Sequence, residues 1–223
     1  MIFDKRFLNQ QQGELGRLIK NGQDFNGFIA LCLTHHAMLH SKSIHDQNIW
    51  SYVDEILDGL DKDKMRVVSK KEGHSILWNL WHLARIEDIT MNFLVGGNEE
   101  IFFHENYQGR LGIPYPDTGN ETGPAEVETL SAVINWPALI DYQNEVGRQT
   151  QNIIRELKPE QIKQKIDPEK ASTIRKNGSV KPQADAIIDY WFGKTVGGLI
   201  LMPPTRHRIV HLNECARIRQ QIG

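Results

Sequence analysis

The stretch that decides the fold runs from His74 to Val95 and reads HSILWNLWHLARIEDITMNFLV. Apolar side chains recur along it at spacings of three and four residues, and they cover most faces of a helix. A helix that is apolar on most sides is typical of the centre of a helical bundle. Gly96 and Gly97 follow, and glycine favours a helix end because it adopts the left-handed cap conformation without strain. The sequence therefore predicts a central helix over residues 74–95.

Helical spacing also dominates on both sides of this segment, whereas alternating β patterns are scarce. Further helices are predicted over residues 4–19, 25–41, 49–60, 126–157, 184–202 and 205–221. Proline predicts a break in the helix near residues 135–137 and another at residues 203–204. Glycine, proline and aromatic residues concentrate in residues 97–125, and this composition predicts a long irregular crossover.

These segments predict an all-α fold, a four-helix bundle with extra short helices and one long irregular crossover. At about 150 residues per domain, the length of 223 residues allows one large domain. We expect residues 1–223 to form a single domain. Residues 1–22 are its N-terminal helical extension, and residues 97–125 are its crossover loop.

The composition argues against several classes of protein. Lys and Arg total 26 and Asp and Glu total 28, so no excess of positive charge is available to bind a phosphate backbone, and we expect no nucleic-acid partner. No apolar run approaches the ~20 residues of a membrane-spanning helix. The N-terminus lacks the apolar core of a secretory signal, which predicts a cytoplasmic protein. Cys32 and Cys215 are too few and too far apart for a disulfide framework or a cysteine-rich zinc site.

Nine histidines are the unusual feature of the composition. His207 and His211 lie four residues apart on the predicted terminal helix, so both imidazoles face one side and can bind one metal ion. His82 lies in the most apolar helix, where a buried imidazole needs a hydrogen-bond partner or a metal ion. Each pattern alone is common without a metal. Together the three histidines favour a centre for Zn, Ni, Cu or Fe(II) that keeps one position open for water or substrate.

The residues around His207 and His211 limit the chemistry that this pair can perform. Arg208 stands where the metallopeptidase pattern HExxH has its catalytic glutamate, so a peptidase would lack its general base. Glu214 follows His211 by three residues and is a candidate catalytic group, either as a base or as an acceptor that orients a ligand. Cys215 continues the same helical stripe, although a buried structural thiol is the simpler interpretation.

The remaining histidines are candidates of a different kind. His36 and His40 lie four residues apart on the predicted second helix. They could supply a second ligand set or line a pocket, and the alternative is a solvated polar face; His40 is kept as a candidate catalytic residue. His74 begins a helix and is assigned to its cap. Glu87 follows His82 by five residues, so it faces a different side of the helix.

Two segments resemble the DinB-like (DinB/YfiT) superfamily. They are residues 75–88, SILWNLWHLARIED, and residues 206–214, RHRIVHLNE. The order of the histidines is also similar, with one on an early core helix and two on the last helix. The resemblance spans residues 25–221.

The resemblance implies a four-helix bundle, often dimeric, in which three histidines hold Ni or Zn. Carried over to this chain, the ligands are His82, His207 and His211. Some members are S-transferases that use bacillithiol, mycothiol or glutathione, and one is a maleylpyruvate isomerase. The resemblance therefore implies a small-molecule substrate, a low-molecular-weight thiol as a second cofactor, and a homodimer. The metal would lower the pKa of the thiol, while Glu214 or His40 orients the ligands.

Two other functions fit the same residues. The first is a non-catalytic metal-binding or stress-response module, whose closed structural site would need a fourth protein ligand such as Cys215 or His40. The second is a metal-dependent hydrolase that uses water at the metal. The long crossover and the additional N-terminal helix distinguish this sequence from the family pattern and leave the substrate open.

Overall fold

The computed structural model describes residues 5–45 and 48–222, and this part of the chain contains helices and no strand. The prediction of an all-α fold is confirmed. The α-helices are α1 (Lys5–Asn21), α2 (Phe25–Met38), α3 (Tyr52–Leu57), α4 (Lys62–Met65), α5 (Ile76–Glu87), α6 (Ile101–His104), α7 (Tyr107–Leu111), α8 (Pro124–Val133), α9 (Trp136–Glu156), α10 (Lys170–Lys176), α11 (Ala186–Phe192), α12 (Val196–Ile200) and α13 (Arg208–Ile222). Short 3-10 turns occupy Lys42–Ile44, Pro159–Gln161 and Pro182–Ala184, and π-helical segments occupy Asp88–Val95 and Met202–His207.

The helices α2, α5, α9 and α13 form the bundle that carries the candidate site. Helix α5 packs against both α9 and α13, while α2 packs against α9 and against the additional N-terminal helix α1. The π-helical segment Met202–His207 leads directly into α13 and also contacts α2 and α5. Residues on these elements therefore meet in the interior of the bundle.

The central helix matches its prediction closely. It begins at Ile76 because Ser75 caps it, with the Ser75 hydroxyl accepting from the Trp78 backbone N–H at 2.9 Å. Every side chain of α5 is buried, as its apolar pattern requires. The π-helical segment Asp88–Val95 continues the same axis to Gly96. The charged residues of this helix therefore lie inside the protein, where each needs a partner.

The predicted irregular crossover over residues 97–125 is partly wrong. The helices α6 and α7 lie inside it, and α8 begins at Pro124, so the irregular residues are 97–100, 105–106 and 112–123. The Asp88 carboxylate accepts hydrogen bonds from the backbone N–H groups of Ile101 and Phe102, which fixes the first turn of α6. Phe102 and Leu111 are fully buried. This apolar burial explains why the segment folds into helices despite its glycines.

Other boundaries differ in smaller ways. The break predicted near residues 135–137 is confirmed, because α8 ends at Val133 and α9 begins at Trp136. The single helix predicted over residues 184–202 is wrong, since Gly193 ends α11 and the Thr195 side chain caps α12. The prolines at residues 203–204 do not interrupt the helical conformation. They occupy the first turn of the π-helical segment, where a missing N–H costs little.

The predicted N-terminal helices are confirmed with shifted ends. Helix α1 extends to Asn21, and residues 1–4 of the predicted extension lie outside the described residues. Helix α2 ends at Met38 rather than at residue 41. The predicted helix over residues 49–60 contracts to α3, because the Ser51 hydroxyl caps it by accepting from the Asp54 N–H at 3.0 Å.

Candidate metal centre

The structure brings His82, His207 and His211 together, and we call them the three-histidine group. His82 comes from α5, His207 ends the second π-helical segment, and His211 lies in the first turn of α13. The ring centroids are 5.0 Å apart for His82 and His207, 4.7 Å for His82 and His211, and 4.5 Å for His207 and His211. One ring nitrogen from each residue lies within 4.8 Å of the others. His207 and His211 therefore lie on one face of the helix, as their spacing predicts.

Hydrogen bonds to the outer ring nitrogens orient two of these imidazoles. His82 Nδ1 donates to the backbone oxygen of Thr118 at 2.5 Å, and His211 Nδ1 donates to Asn79 Oδ1 at 2.6 Å. Because Nδ1 carries the proton in both residues, the Nε2 lone pairs are free to bind a metal ion. This arrangement is the one that metal-ligating histidines usually have.

A tightly packed turn in the crossover lies against His82. Gly119 has a φ of +82°, and a Cβ atom there would lie 2.6 Å from Cζ3 of Trp81. Only glycine fits this position, because of both its left-handed conformation and its contact with the indole. The turn places the Thr118 carbonyl group against His82. Thr118 was not among the predicted site residues, since a backbone acceptor leaves no residue-type signal.

Glu214 lies one hydrogen bond away from the ligands. Its Oε1 atom accepts from Asn79 Nδ2 and from His74 Nδ1, each at 2.9 Å. Its Oε2 atom is 3.9 Å from His211 Nδ1. Glu214 therefore accepts hydrogen bonds beside the three-histidine group, and its two candidate roles stay predictions. The assignment of His74 to the helix cap is wrong: Ser75 is the cap, and the His74 ring stacks on Trp78 with centroids 3.8 Å apart.

The three imidazoles are neutral at pH 7. Burial lowers the pKa of His82 to about 4 and that of His211 to about 2, and the neighbouring imidazoles add to the second shift. Burial, with His82 and His211 nearby, holds the pKa of His207 well below its usual range. Metal binding requires neutral imidazoles, so no proton has to be removed from these rings near neutral pH.

The spacing of the donor atoms fits a divalent ion. His82 Nε2 and His207 Nε2 are 3.2 Å apart. Two imidazole nitrogens that each lie 2.0–2.1 Å from a tetrahedral ion are separated by about 3.3 Å. The donor set, three neutral imidazoles, suits Zn or Ni. His207 Nδ1 is buried and has no hydrogen-bond partner, so neighbouring groups fix this ring less firmly than the other two.

Among residues 5–45 and 48–222, no His, Cys, Asp or Glu side chain joins the three-histidine group as a fourth protein ligand. Cys215 is fully buried in the apolar core, and burial raises the pKa of its thiol. His40 belongs to a different cluster. His207 and His211 are half-buried, and the His211 side chain is 15% exposed, which leaves one side of the group accessible.

A second buried cluster contains His36, His40, Glu87 and Arg208, and we call it the arginine cluster. Glu87 Oε1 accepts from His36 Nε2 at 2.9 Å, and Glu87 Oε2 lies 3.0 Å from His40 Nε2 and 2.9 Å from Arg208 Nη1. All four side chains are at most 2% exposed. The interpretation of His36 and His40 as a solvated polar face is therefore wrong.

The charges of the arginine cluster compensate one another. Burial alone would raise the pKa of Glu87, but His40 and Arg208 outweigh it and hold that pKa well below its usual range. Burial lowers the pKa of His36. Glu87 faces away from His82, as predicted, but helical spacing does not indicate its partners. Its position inside an apolar helix was the available signal, because a buried carboxylate requires a cation.

The sequence model of the DinB superfamily matches residues 46–181, more than half of the chain. The chain belongs to the DinB superfamily. The match includes His82, whereas His207 and His211 lie beyond its C-terminal end. No match was found among curated proteins. In this DinB-superfamily chain, none of the described helices is long and apolar enough to cross a membrane.

Proposed function

We propose that this protein holds a divalent metal, Ni or Zn, and transfers a low-molecular-weight thiol to a small electrophilic substrate. The observation that carries the proposal is the convergence of three neutral imidazoles without a fourth protein ligand among the described residues. Structural zinc sites are closed by four protein ligands, whereas catalytic sites keep one position open. The proposal therefore favours a catalytic centre over the non-catalytic module.

Each residue near the centre has a definite task in this proposal. When bound, the metal would lower the pKa of a thiol so that thiolate is present at neutral pH. His82, His207 and His211 hold the metal, and Thr118 and Asn79 fix two of these rings through their Nδ1 atoms. In the transfer, the thiol proton goes to solvent, the sulfur forms a bond to the electrophilic carbon, and the leaving group departs with its bonding electron pair.

The environment of the centre is less suited to a hydrolase. Activation of water at a metal commonly uses a carboxylate as a general base. Glu214 is the nearest candidate in the sequence, but its Oε1 atom already accepts two hydrogen bonds, from Asn79 and His74. The position of the peptidase glutamate is Arg208, which is buried in the arginine cluster. A thiol needs no such base once its pKa is lowered.

The experiment combines elemental analysis with a transfer assay. We expect about one metal ion per chain in the wild type and loss of the metal in H82A, H207A and H211A. His104 is exposed, so H104A is a matched control that should retain the metal. The metal-loaded protein is then assayed with bacillithiol, mycothiol and glutathione against an electrophilic arene. Unchanged metal content in the three variants overturns the centre. Turnover of an ester without thiol transfer favours the hydrolase.

A further inference from the structure

Arg208 directly follows His207, and its side chain points into the arginine cluster instead of the three-histidine group. The guanidinium has three partners on three different parts of the bundle. Nε donates to the Leu39 carbonyl oxygen at 3.2 Å, Nη1 to Glu87 Oε2 at 2.9 Å, and Nη2 to Gln143 Oε1 at 3.0 Å. These partners follow the end of α2 or lie on α5 and α9. One side chain thus ties the start of α13 to the rest of the bundle.

The partners of Arg208 are themselves held in place. Glu87 is fixed by His36 and His40, whose rings stack with centroids 3.8 Å apart. Gln143 donates its amide N–H to the Leu80 carbonyl oxygen on α5. A Cβ atom at Gly147 would lie 2.8 Å from Cδ2 of His40, so α9 approaches the cluster as closely as glycine allows. The guanidinium therefore binds to a rigid acceptor set.

A buried ion pair is weak evidence for stability, because desolvation of both charges offsets their attraction. Its best-attested benefit is a fixed register between packed elements. Here the register matters, since neighbouring residues on a helix point about 100° apart. His207 lacks a hydrogen bond at Nδ1, so the rotation of its helix is the main constraint on its direction.

We infer that Arg208 is a positioning residue: held by Glu87, Gln143 and the Leu39 carbonyl group, it sets the rotation of the helix that carries His207 and His211. The inference rests on the proposed metal centre. It gives a role to the arginine that replaces the peptidase glutamate, and it makes the arginine cluster a support for the centre instead of a second ligand set. Lysine at this position would keep the charge but lose the planar fork that reaches three acceptors.

The test measures metal binding in R208K with Zn²⁺ by chelator competition and with Co²⁺ by visible absorption, which reports coordination geometry. We expect Zn²⁺ affinity to fall about 10–100-fold, the usual effect of losing a group that orients a metal ligand. The Co²⁺ spectrum should change as well. Arg219 is the matched control, since it also lies on α13 and donates to the carbonyl oxygens of Glu55, Ile56 and Asp58. R219K should bind both metals like the wild type.

A double variant covers the case in which R208K fails to fold. E87Q/R208M removes both buried charges together, so it leaves no unpaired charge, and it should fold with weakened metal binding. Wild-type affinity and an unchanged Co²⁺ spectrum in the folded variants overturn the positioning role while leaving the proposed function intact. Metal binding without thiol transfer in the wild type overturns the proposed function alone. A wild type that binds neither ion overturns both.

Discussion

The three-histidine group and the arginine cluster are built from the same helices and differ in charge. Helix α5 supplies His82 to the first and Glu87 to the second. The last helical region supplies His207 to the first and Arg208 to the second. Both contain histidines four residues apart. In the arginine cluster a guanidinium already provides the cation, whereas the three-histidine group contains only neutral rings. Spacing alone therefore identifies a shared face, and the charge of the third partner distinguishes a buried ion pair from a group of neutral imidazoles.

Acidification should have the largest effect, because it acts on several buried imidazoles at once. Burial lowers the pKa of His35 and His82 to about 4 and that of His211 to about 2, from an ordinary value of 6.5. Below that ordinary value the unfolded chain binds more protons than the folded chain, so stability is fully present above about pH 6.5 and is lost as the pH falls toward the folded-state values. At about pH 5, each of these histidines should lower the free energy of unfolding by about 2 kcal/mol relative to neutral pH.

Urea unfolding of the metal-free protein at about pH 7.5 and about pH 5 measures this loss. The variant H35Q isolates the contribution of a single imidazole, because His35 lies outside both clusters and bonds to Gln11. It should lose about 2 kcal/mol less on acidification than the wild type. A free energy of unfolding that is equal at the two pH values would refute the neutral state of these imidazoles.

The next effect in size comes from breaking each cluster by one substitution. E87A leaves the Arg208 guanidinium buried without its carboxylate and should cost about 3–5 kcal/mol. H211A in the metal-free protein removes one hydrogen bond, to Asn79, from a partly exposed side chain and should cost about 1 kcal/mol. Chemical denaturation of both variants at neutral pH compares them directly. Equal losses would mean that the two clusters do not differ in buried charge.

A further effect, on metal binding instead of stability, should come from a residue that orients a ligand without binding the metal. N79A removes the acceptor of His211 Nδ1, so Zn²⁺ affinity should fall about 10–100-fold, or about 1.4–2.7 kcal/mol. The control is N213A, which removes a half-buried asparagine that accepts a hydrogen bond from the Tyr52 hydroxyl at 2.9 Å. Chelator competition on both variants gives the answer. If N213A weakens binding as much as N79A, the hydrogen bond to His211 has no specific role.

Helical periodicity was enough to predict the part of the site that lies within single helices. The apolar pattern around His82 and the four-residue spacing of His207 and His211 are local properties, and both predicted a shared face. The pairing of Glu87 with Arg208 depends on how α5 and α13 pack, which one sequence does not encode locally. The Thr118 carbonyl is set by the turn at Gly119, and a backbone group carries no residue-type signal.

The crossover shows the opposite kind of error. Its glycines and prolines predicted irregular structure, whereas α6 and α7 form inside it. The buried Asp88 carboxylate of the central helix accepts from the first N–H groups of α6, and buried aromatic residues hold both helices against the bundle. Tertiary contacts therefore override local propensity here. The same contacts place the irregular residues 112–123 beside His82.

The π-helical segment Met202–His207 makes the two clusters sensitive to a change of length. It ends immediately before α13, so the number of residues within it fixes which side chain meets which partner. Removal of one residue would advance α13 by about 100°. Arg208 would then turn toward the imidazoles, and a guanidinium, unlike a histidine, cannot ligate a metal. Substitutions at residues 202–206 are therefore a smaller change to the centre than a single insertion or deletion.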